Sequence, residues 1–74
     1  MSRASRLLRD RLRQRVIVTC KNDESFAGVL FEADDRSLVL REPVALGARD
    51  DRSHVPLDGE MLILLADVAY LQRP

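Results

Sequence analysis

The chain has 74 residues, of which 46% are hydrophobic and 32% charged, and this fits one small domain spanning 1–74. A chain of this size buries only about 60% of its unfolded surface, so small domains commonly need disulfides, metal or self-association. Cys20 is the only cysteine, which excludes an internal disulfide, and Cys20 with the single His54 cannot build a metal site. We therefore expect self-association, with no metal or other cofactor.

The formal net charge is zero, but the charges are segregated along the chain. Residues 1–15 carry six arginines against Asp10, a balance of +5, and the remainder carries six basic against eleven acidic residues, a balance of −5. This asymmetry predicts an anionic partner for the N-terminal segment, or else a solvated helix whose arginines pair with neighbouring carboxylates. The sequence contains no long apolar run and no signal-peptide pattern, so we expect no membrane partner and a cytoplasmic location.

The N-terminal segment is predicted to form a helix over residues 4–15. Leu8 and Leu12, four residues apart, would pack over one end of a β core and leave the arginines exposed. At helical spacing most of these arginines share one flank of the helix. The residues expected to contact an anionic partner are Arg3, Arg6, Arg9 and Arg13.

The rest of the chain is predicted to form short strands, because its apolar residues are β-branched and separated by polar turns. The predicted strands are 16–20, 25–33, 37–46, 60–65 and 67–72, with an exposed variable loop at 47–56. Gly28 inside the second strand marks a bend or a close backbone approach, and the acidic segment 34–37 marks a tight turn. A helix followed by five short antiparallel strands predicts an all-β small barrel over 16–72.

The fourth predicted strand is unusual because residues 61–65 are apolar at every position. Alternate residues of a small barrel face inward, so if the odd-numbered positions fill the core, Leu62 and Leu64 need another cover. Exposing each of them costs roughly 1.5–3 kcal/mol. We therefore predict a subunit interface at Leu62 and Leu64, extended by Tyr70 of the equally apolar last strand.

Two stretches carry a family pattern, "VIVTCKNDESFAGVLFEADDRSLVL" and "GEMLILLADVAYLQRP". The first combines a hydrophobic strand, a turn, a bent strand of the form aromatic-x-Gly-x-aliphatic, an aspartate six residues after the glycine, and an aliphatic strand. The matching positions are Val16, Val18, Phe26, Gly28, Leu30, Asp34, Leu38, Leu40, Ile63, Val68, Tyr70 and Leu71. The chain in this way resembles the Sm-like (Sm/LSm/Hfq) family, and it is similar to small Sm-like proteins encoded by phages of actinobacteria.

The resemblance implies a strongly bent SH3-like barrel and a ring of five to eight copies closed by pairing between edge strands. It also implies a pore that binds RNA, but three positions depart from the family pattern. The base-contacting asparagine corresponds to Ser37, and the Arg-Gly pair corresponds to Leu64-Leu65. The acidic residues expected at the pore rim are Asp34, Asp35 and Asp67. An acidic rim repels phosphates, so we expect the arginine-rich helix to be the main contact.

Several single residues allow a second interpretation. Asp34 and Asp35 could form a catalytic carboxylate pair, but no nucleophile or base accompanies them, and an enzyme is not expected. Phe31 and Tyr70 could stack on bases, although filling of the core or an interface is the favoured interpretation.

Two function classes follow from this sequence. The first is a ring that binds RNA or another polyanion through the arginine-rich helix. The second is a structural or adaptor ring, for example in a phage particle, that binds acidic protein surfaces and no nucleic acid. A phage-encoded protein of this kind would be found in the host cytoplasm or in the virion.

Overall fold

The computed structural model describes residues 3–47 and 54–74, with side chains from Arg6 onward. One helix, α1 (Arg3–Arg9), precedes six short strands. The strands are β1 (Arg15–Cys20), β2 (Ser25–Ala33), β3 (Ser37–Leu46), β4 (Val55–Pro56), β5 (Glu60–Leu64) and β6 (Val68–Gln72), and a 3₁₀ turn, Leu65–Asp67, joins the last two. The bounds of β2 and β3 are those predicted. The strands predicted at 60–65 and 67–72 are shorter, because Leu65 and Asp67 belong to the turn.

The strands form one antiparallel sheet in the order β4-β3-β2-β1-β6, and β5 also pairs with β3. The strand β3 is long enough to pair with two strands besides β2: residues 37–41 pair with β5, and Val44 and Ala45 pair with β4. The sheet curls without closing: in the described ranges β5 pairs only with β3, and β6 only with β1. This architecture confirms the predicted small barrel with an N-terminal helix.

A sixth strand appears where the sequence predicted only a loop. Val55 and Pro56 were expected within the loop 47–56, but they pair with Ala45 and Val44 and extend the far edge of the sheet. Proline is tolerated at such an edge because the missing N–H is not needed for a further ladder. Residues 48–53 of the predicted loop lie outside the described residues.

The sheet bends at Gly28. The pairing between β2 and β3 shifts register there, so that Glu42 and Pro43 of β3 lie opposite this single residue. A Cβ atom on Gly28 would lie 3.0 Å from the carbonyl oxygen of Arg41 and 3.2 Å from the Cβ atom of Leu40. The glycine is therefore required by the close approach of two backbones, which is one of the two roles predicted for it.

The core lies inside the curled sheet and alternates with outward-facing residues, as a small barrel requires. Its members are Leu8, Val16, Val18, Cys20, Leu30, Leu38, Leu40 and Ile63. The alternation predicted for β5 is confirmed, since Ile63 is 7% exposed whereas Leu62 and Leu64 are 63% and 51% exposed. Leu12 packs against this core, which includes Leu8, so both leucines of the N-terminal segment contribute to the packing of the barrel.

The helix is shorter than predicted. The sequence favoured a helix over 4–15, but α1 ends at Arg9 and residues 10–13 form turns. Arg13 adopts a φ of 67°, which lies outside the right-handed helical region. The N–H of Arg13 donates to the carbonyl of Leu30 at 2.7 Å. This bond ties residue 13 to β2, so its N–H is not available for a hydrogen bond within a longer helix.

Candidate functional site

The two segments that the resemblance assigns to a pore lie side by side in the structure. The N–H of Leu65 donates to the carbonyl oxygen of Arg36 at 2.8 Å, which joins the 3₁₀ turn 65–67 to the turn between β2 and β3. Across the β3–β5 pairing, Ser37 lies opposite Leu64. The positions that correspond to the family's asparagine and arginine are thus neighbours, but they carry a hydroxyl and an exposed aliphatic side chain.

Asp34 organises the turn before β3. Its Oδ1 accepts the backbone N–H groups of Arg36 and Ser37, both at 2.8 Å, and the Ser37 hydroxyl lies 3.4 Å away. These bonds, the one from Arg36 foremost, hold the pKa of the Asp34 carboxyl below its ordinary value. Asp34 therefore stays ionised and shapes the turn, which supports its interpretation as a turn former and leaves a negative charge beside β3.

The arginines of the N-terminal segment do not all lie on one helical flank. Arg6 and Arg9 are exposed on α1, whereas the side chain of Arg3 lies outside the described side chains. Arg13 is exposed but follows the end of α1, so the helical spacing that predicted its alignment does not apply. Its guanidinium instead lies 5.7 Å from the centroid of the Phe31 ring on β2.

Arg9 borders a surface hollow of about 500 Å³ that runs from the N-terminal segment to the turn before β3. Leu12 and Phe31 contribute apolar walls to this hollow, and Ser37 and Asp34 contribute its polar end. The hollow therefore brings one of the predicted polyanion contacts, Arg9, next to two predicted pore residues. A cation, apolar surface and a hydroxyl therefore line the same hollow.

A further arginine, Arg41 on β3, was not identified from the sequence. Its guanidinium carbon lies 3.5 Å from the centroid of the Phe31 ring, and its Nε donates to Oε2 of Glu60 at 2.9 Å. The contact depends on the register that pairs Arg41 with Glu60 across β3 and β5, and single-sequence patterns do not give this register. Phe31 is partly buried beneath Arg41, so packing rather than direct base stacking describes its ring.

Three strands of the described sheet, β4, β5 and β6, have an unpaired edge, and those on β5 and β6 carry the predicted interface residues. Leu62 and Leu64 lie on β5, and Tyr70 on β6 is 55% exposed. An open hollow of about 720 Å³ adjoins β5 and reaches the end of β1 at Cys20. Burial, followed by the nearby carboxylates of Asp67 and Glu24, raises the pKa of the Cys20 thiol. The Cys20 side chain is thus a buried, protonated group.

Within residues 3–47 and 54–74, no group of three or more histidine, cysteine, aspartate or glutamate side chains is arranged to hold a metal ion. The one helix of the same ranges is too short and too polar to cross a membrane.

Neither a protein-family model nor a curated protein matches the chain, but solved structures do. The SmAP1 heptamer of Pyrobaculum aerophilum matches with a TM-score of 0.81 and 17% identity, over 100% of this chain and 96% of that one. The Pyrococcus abyssii Sm protein in complex with a uridine heptamer matches with a TM-score of 0.77 and 19% identity, over 99% and 100%. A novel Sm-like archaeal protein from Pyrobaculum aerophilum matches with a TM-score of 0.77 and 18% identity. That match covers 95% of this chain but only 50% of the other, so the chain spans half of that protein's length. Identities this low define architecture alone, and with the bent, unclosed sheet they show that this chain has the Sm-like fold.

Proposed function

We propose that this chain assembles into a homo-oligomeric ring that binds RNA or another polyanion through its arginine-bearing N-terminal segment more than through the pore positions. The observation that carries the proposal is the pair of unlike edges, β5 and β6, each with exposed apolar residues. Because the edges differ, β5 of one copy would pair with β6 of the next, and such head-to-tail contacts close into rings when the rotation permits. One of the matched proteins is a heptamer.

Burial of the edge leucines would favour this assembly. Leu62 and Leu64 are 63% and 51% exposed, so covering them would contribute roughly 1–2 kcal/mol each from the apolar area removed from water. Pairing would also satisfy the free N–H and C=O groups of both strand edges. The interface assigned to Leu62, Leu64 and Tyr70 rests on this argument.

The second half of the proposal concerns the anionic partner. Arg6, Arg9 and Arg13 are exposed, and a ring would repeat this cluster once per subunit and concentrate positive potential on one face. The pore positions offer Ser37 and Leu64 instead of a cationic base clamp. One of the matched structures is an Sm protein in complex with a uridine heptamer, which makes single-stranded RNA the first ligand to test.

The ring is tested by light scattering of purified wild-type protein at micromolar concentration, together with two variants. Leu64→Asp should dissociate the oligomer, because a carboxylate would be buried without a partner at the β5 edge. Val55→Asp is the matched control, since Val55 is similarly exposed, at 53%, but lies on β4. A wild-type protein that runs as a monomer would refute the ring.

The polyanion contact is tested by titrating a labelled oligouridylate at several salt concentrations. Replacing Arg6, Arg9 and Arg13 with glutamine should weaken binding and flatten its dependence on salt, by about 0.7 in logarithmic slope for each phosphate that the variant no longer neutralises. The matched control replaces Lys21, Arg36 and Arg73 with glutamine, since these are exposed cations elsewhere on the chain. If the control triple weakens binding as much, the N-terminal segment is not the contact.

Absence of any binding to oligonucleotides at low salt would instead favour the structural or adaptor ring. The arginine cluster would then face acidic protein surfaces. Dissociation of the arginine triple variant into monomers would assign the arginines to ion pairs between subunits.

A further inference from the structure

We propose that Arg41 is a nucleobase-stacking group, held flat on the outer surface of the barrel by Phe31 and Glu60. The inference rests on the proposed binding of single-stranded nucleic acid and names a contact outside both the N-terminal arginines and the pore positions. It starts from an arrangement of three side chains on β2, β3 and β5.

The guanidinium of Arg41 is restrained in two directions. Its central carbon lies 3.5 Å from the centroid of the Phe31 ring, and at that separation the planar group must lie against the ring face, because an edge-on approach would push a nitrogen into the ring. The Nε of Arg41 also donates to Oε2 of Glu60 at 2.9 Å, which fixes rotation within the plane. The Arg41 side chain nevertheless remains 54% exposed.

A guanidinium held in this way has one face on an aromatic ring and the other toward solvent. Planar guanidinium groups stack on unpaired bases of single-stranded RNA, and a group that is already immobilised loses less conformational entropy when it binds. Glu60 offsets the charge of Arg41, so this side chain would act by stacking more than by attracting phosphate. Arg13, 5.7 Å from the same ring, supplies a second cation near the platform for the adjoining phosphate.

Base stacking is separated from a purely structural role by Arg41→Lys, which keeps the positive charge beside Glu60 but removes the planar group. Two fluorescent ligands of equal length are compared by anisotropy with the full chain, an oligouridylate and an oligonucleotide whose central nucleotides are abasic. Arg73→Lys is the matched control, since Arg73 is an exposed arginine that follows β6, away from Phe31 and Glu60 in the sequence. Urea unfolding of each variant reports whether the fold is retained.

Arg41→Lys should lose at least about fivefold in affinity for the oligouridylate and leave the affinity for the abasic ligand unchanged, because stacking acts on the base alone. Arg73→Lys should change neither affinity. Arg41→Gln, which is planar but neutral, should keep part of the preference for the base-containing ligand and serves as the second variant if the lysine variant fails to fold.

Two results would overturn the inference while the proposed function stands. One is equal affinity of the wild type for both ligands, and the other is a loss in Arg41→Lys that is the same for both ligands or absent from both. Failure of the wild type to bind either ligand at low salt would refute the proposed nucleic-acid binding itself, and the stacking role with it.

Discussion

Replacing Gly28 tests whether the bend of the barrel depends on a close approach between β2 and β3. A Cβ atom at this position would lie 3.0 Å from the carbonyl oxygen of Arg41, 3.2 Å from the Cβ of Leu40 and 3.4 Å from the Cα of Pro43. Two of these three atoms belong to the backbone, and Pro43 and Leu40 are fully buried, so the neighbours cannot rotate away. Gly28→Ala should therefore cost about 1–3 kcal/mol, the usual range for overpacking, and Gly28→Val more.

This loss is large for a chain of 74 residues, whose stability by the usual per-residue average is roughly 4–11 kcal/mol. Urea unfolding followed by circular dichroism, repeated at several protein concentrations, measures it apart from any effect of assembly. Gly59 provides the contrast, because it has a φ of 78° and a Cβ there would meet nothing within 4 Å.

The two glycines should respond differently to asparagine, which tolerates a positive φ. Gly59→Asn should be nearly neutral, whereas Gly28→Asn should be at least as damaging as Gly28→Ala. A Gly28→Ala variant whose stability lies within about 0.5 kcal/mol of the wild type, as for an ordinary surface substitution, would contradict the close-approach argument.

Three smaller predictions concern single polar groups. Asp34 has a folded pKa below its ordinary value of 3.8, so its contribution to stability is present above that pH and is lost as the pH falls through the folded value. Asp34→Asn, which keeps an acceptor but does not titrate, should show a weaker loss of stability on acidification, and identical acid unfolding of both proteins would contradict this. The buried Cys20 thiol, whose pKa is raised, should react with a thiol reagent much more slowly in the folded protein than in urea, and equal rates would show that it is accessible. Ser25→Ala should cost about 1 kcal/mol, because the buried Thr19 hydroxyl lies 3.0 Å from that of Ser25 and would lose its partner. Adding Thr19→Val should recover part of the loss, and a strictly additive double variant would argue against the bond.

Most of the barrel could be predicted because its signals are local. The strands β1 and β2 end at polar turns whose chemistry is visible in the chain, and the Asp34 turn forms the hydrogen bonds that such residues favour. The alternation of β5 followed from its apolar run and the requirement that one face of a strand fill the core. Gly28 was singled out because an isolated glycine within a strand seldom lacks a steric reason.

The errors arose where tertiary contacts overrode local preference. Helical periodicity favoured an extension of the helix to residue 15, but the backbone of Arg13 bonds to Leu30 of β2 and α1 ends at Arg9. Val55 and Pro56 carry weak strand signals, and only the free edge of β3 beyond Pro43 recruits them. The arrangement of Arg41, Phe31 and Glu60 was missed for the same reason, because it joins three strands whose register the sequence does not reveal.

Leu64 links the departure from the family pattern to the proposal that a polyanion binds the N-terminal arginines more than the pore positions. It lies opposite Ser37 on an unpaired edge strand, at the position where the resemblance places a cationic base contact. An apolar residue there favours contact with a neighbouring copy and, in the proposed ring, leaves the pore side with the charge of Asp34. A net-neutral ring would not attract a polyanion as a whole, so attraction must come from the arginine-bearing face alone. Such attraction fades over roughly 10 Å at 0.1 M salt. Binding should therefore be one-sided and strongly dependent on salt, and the stacking contact at Arg41, which needs no net charge, should become the larger share of the affinity as salt is raised.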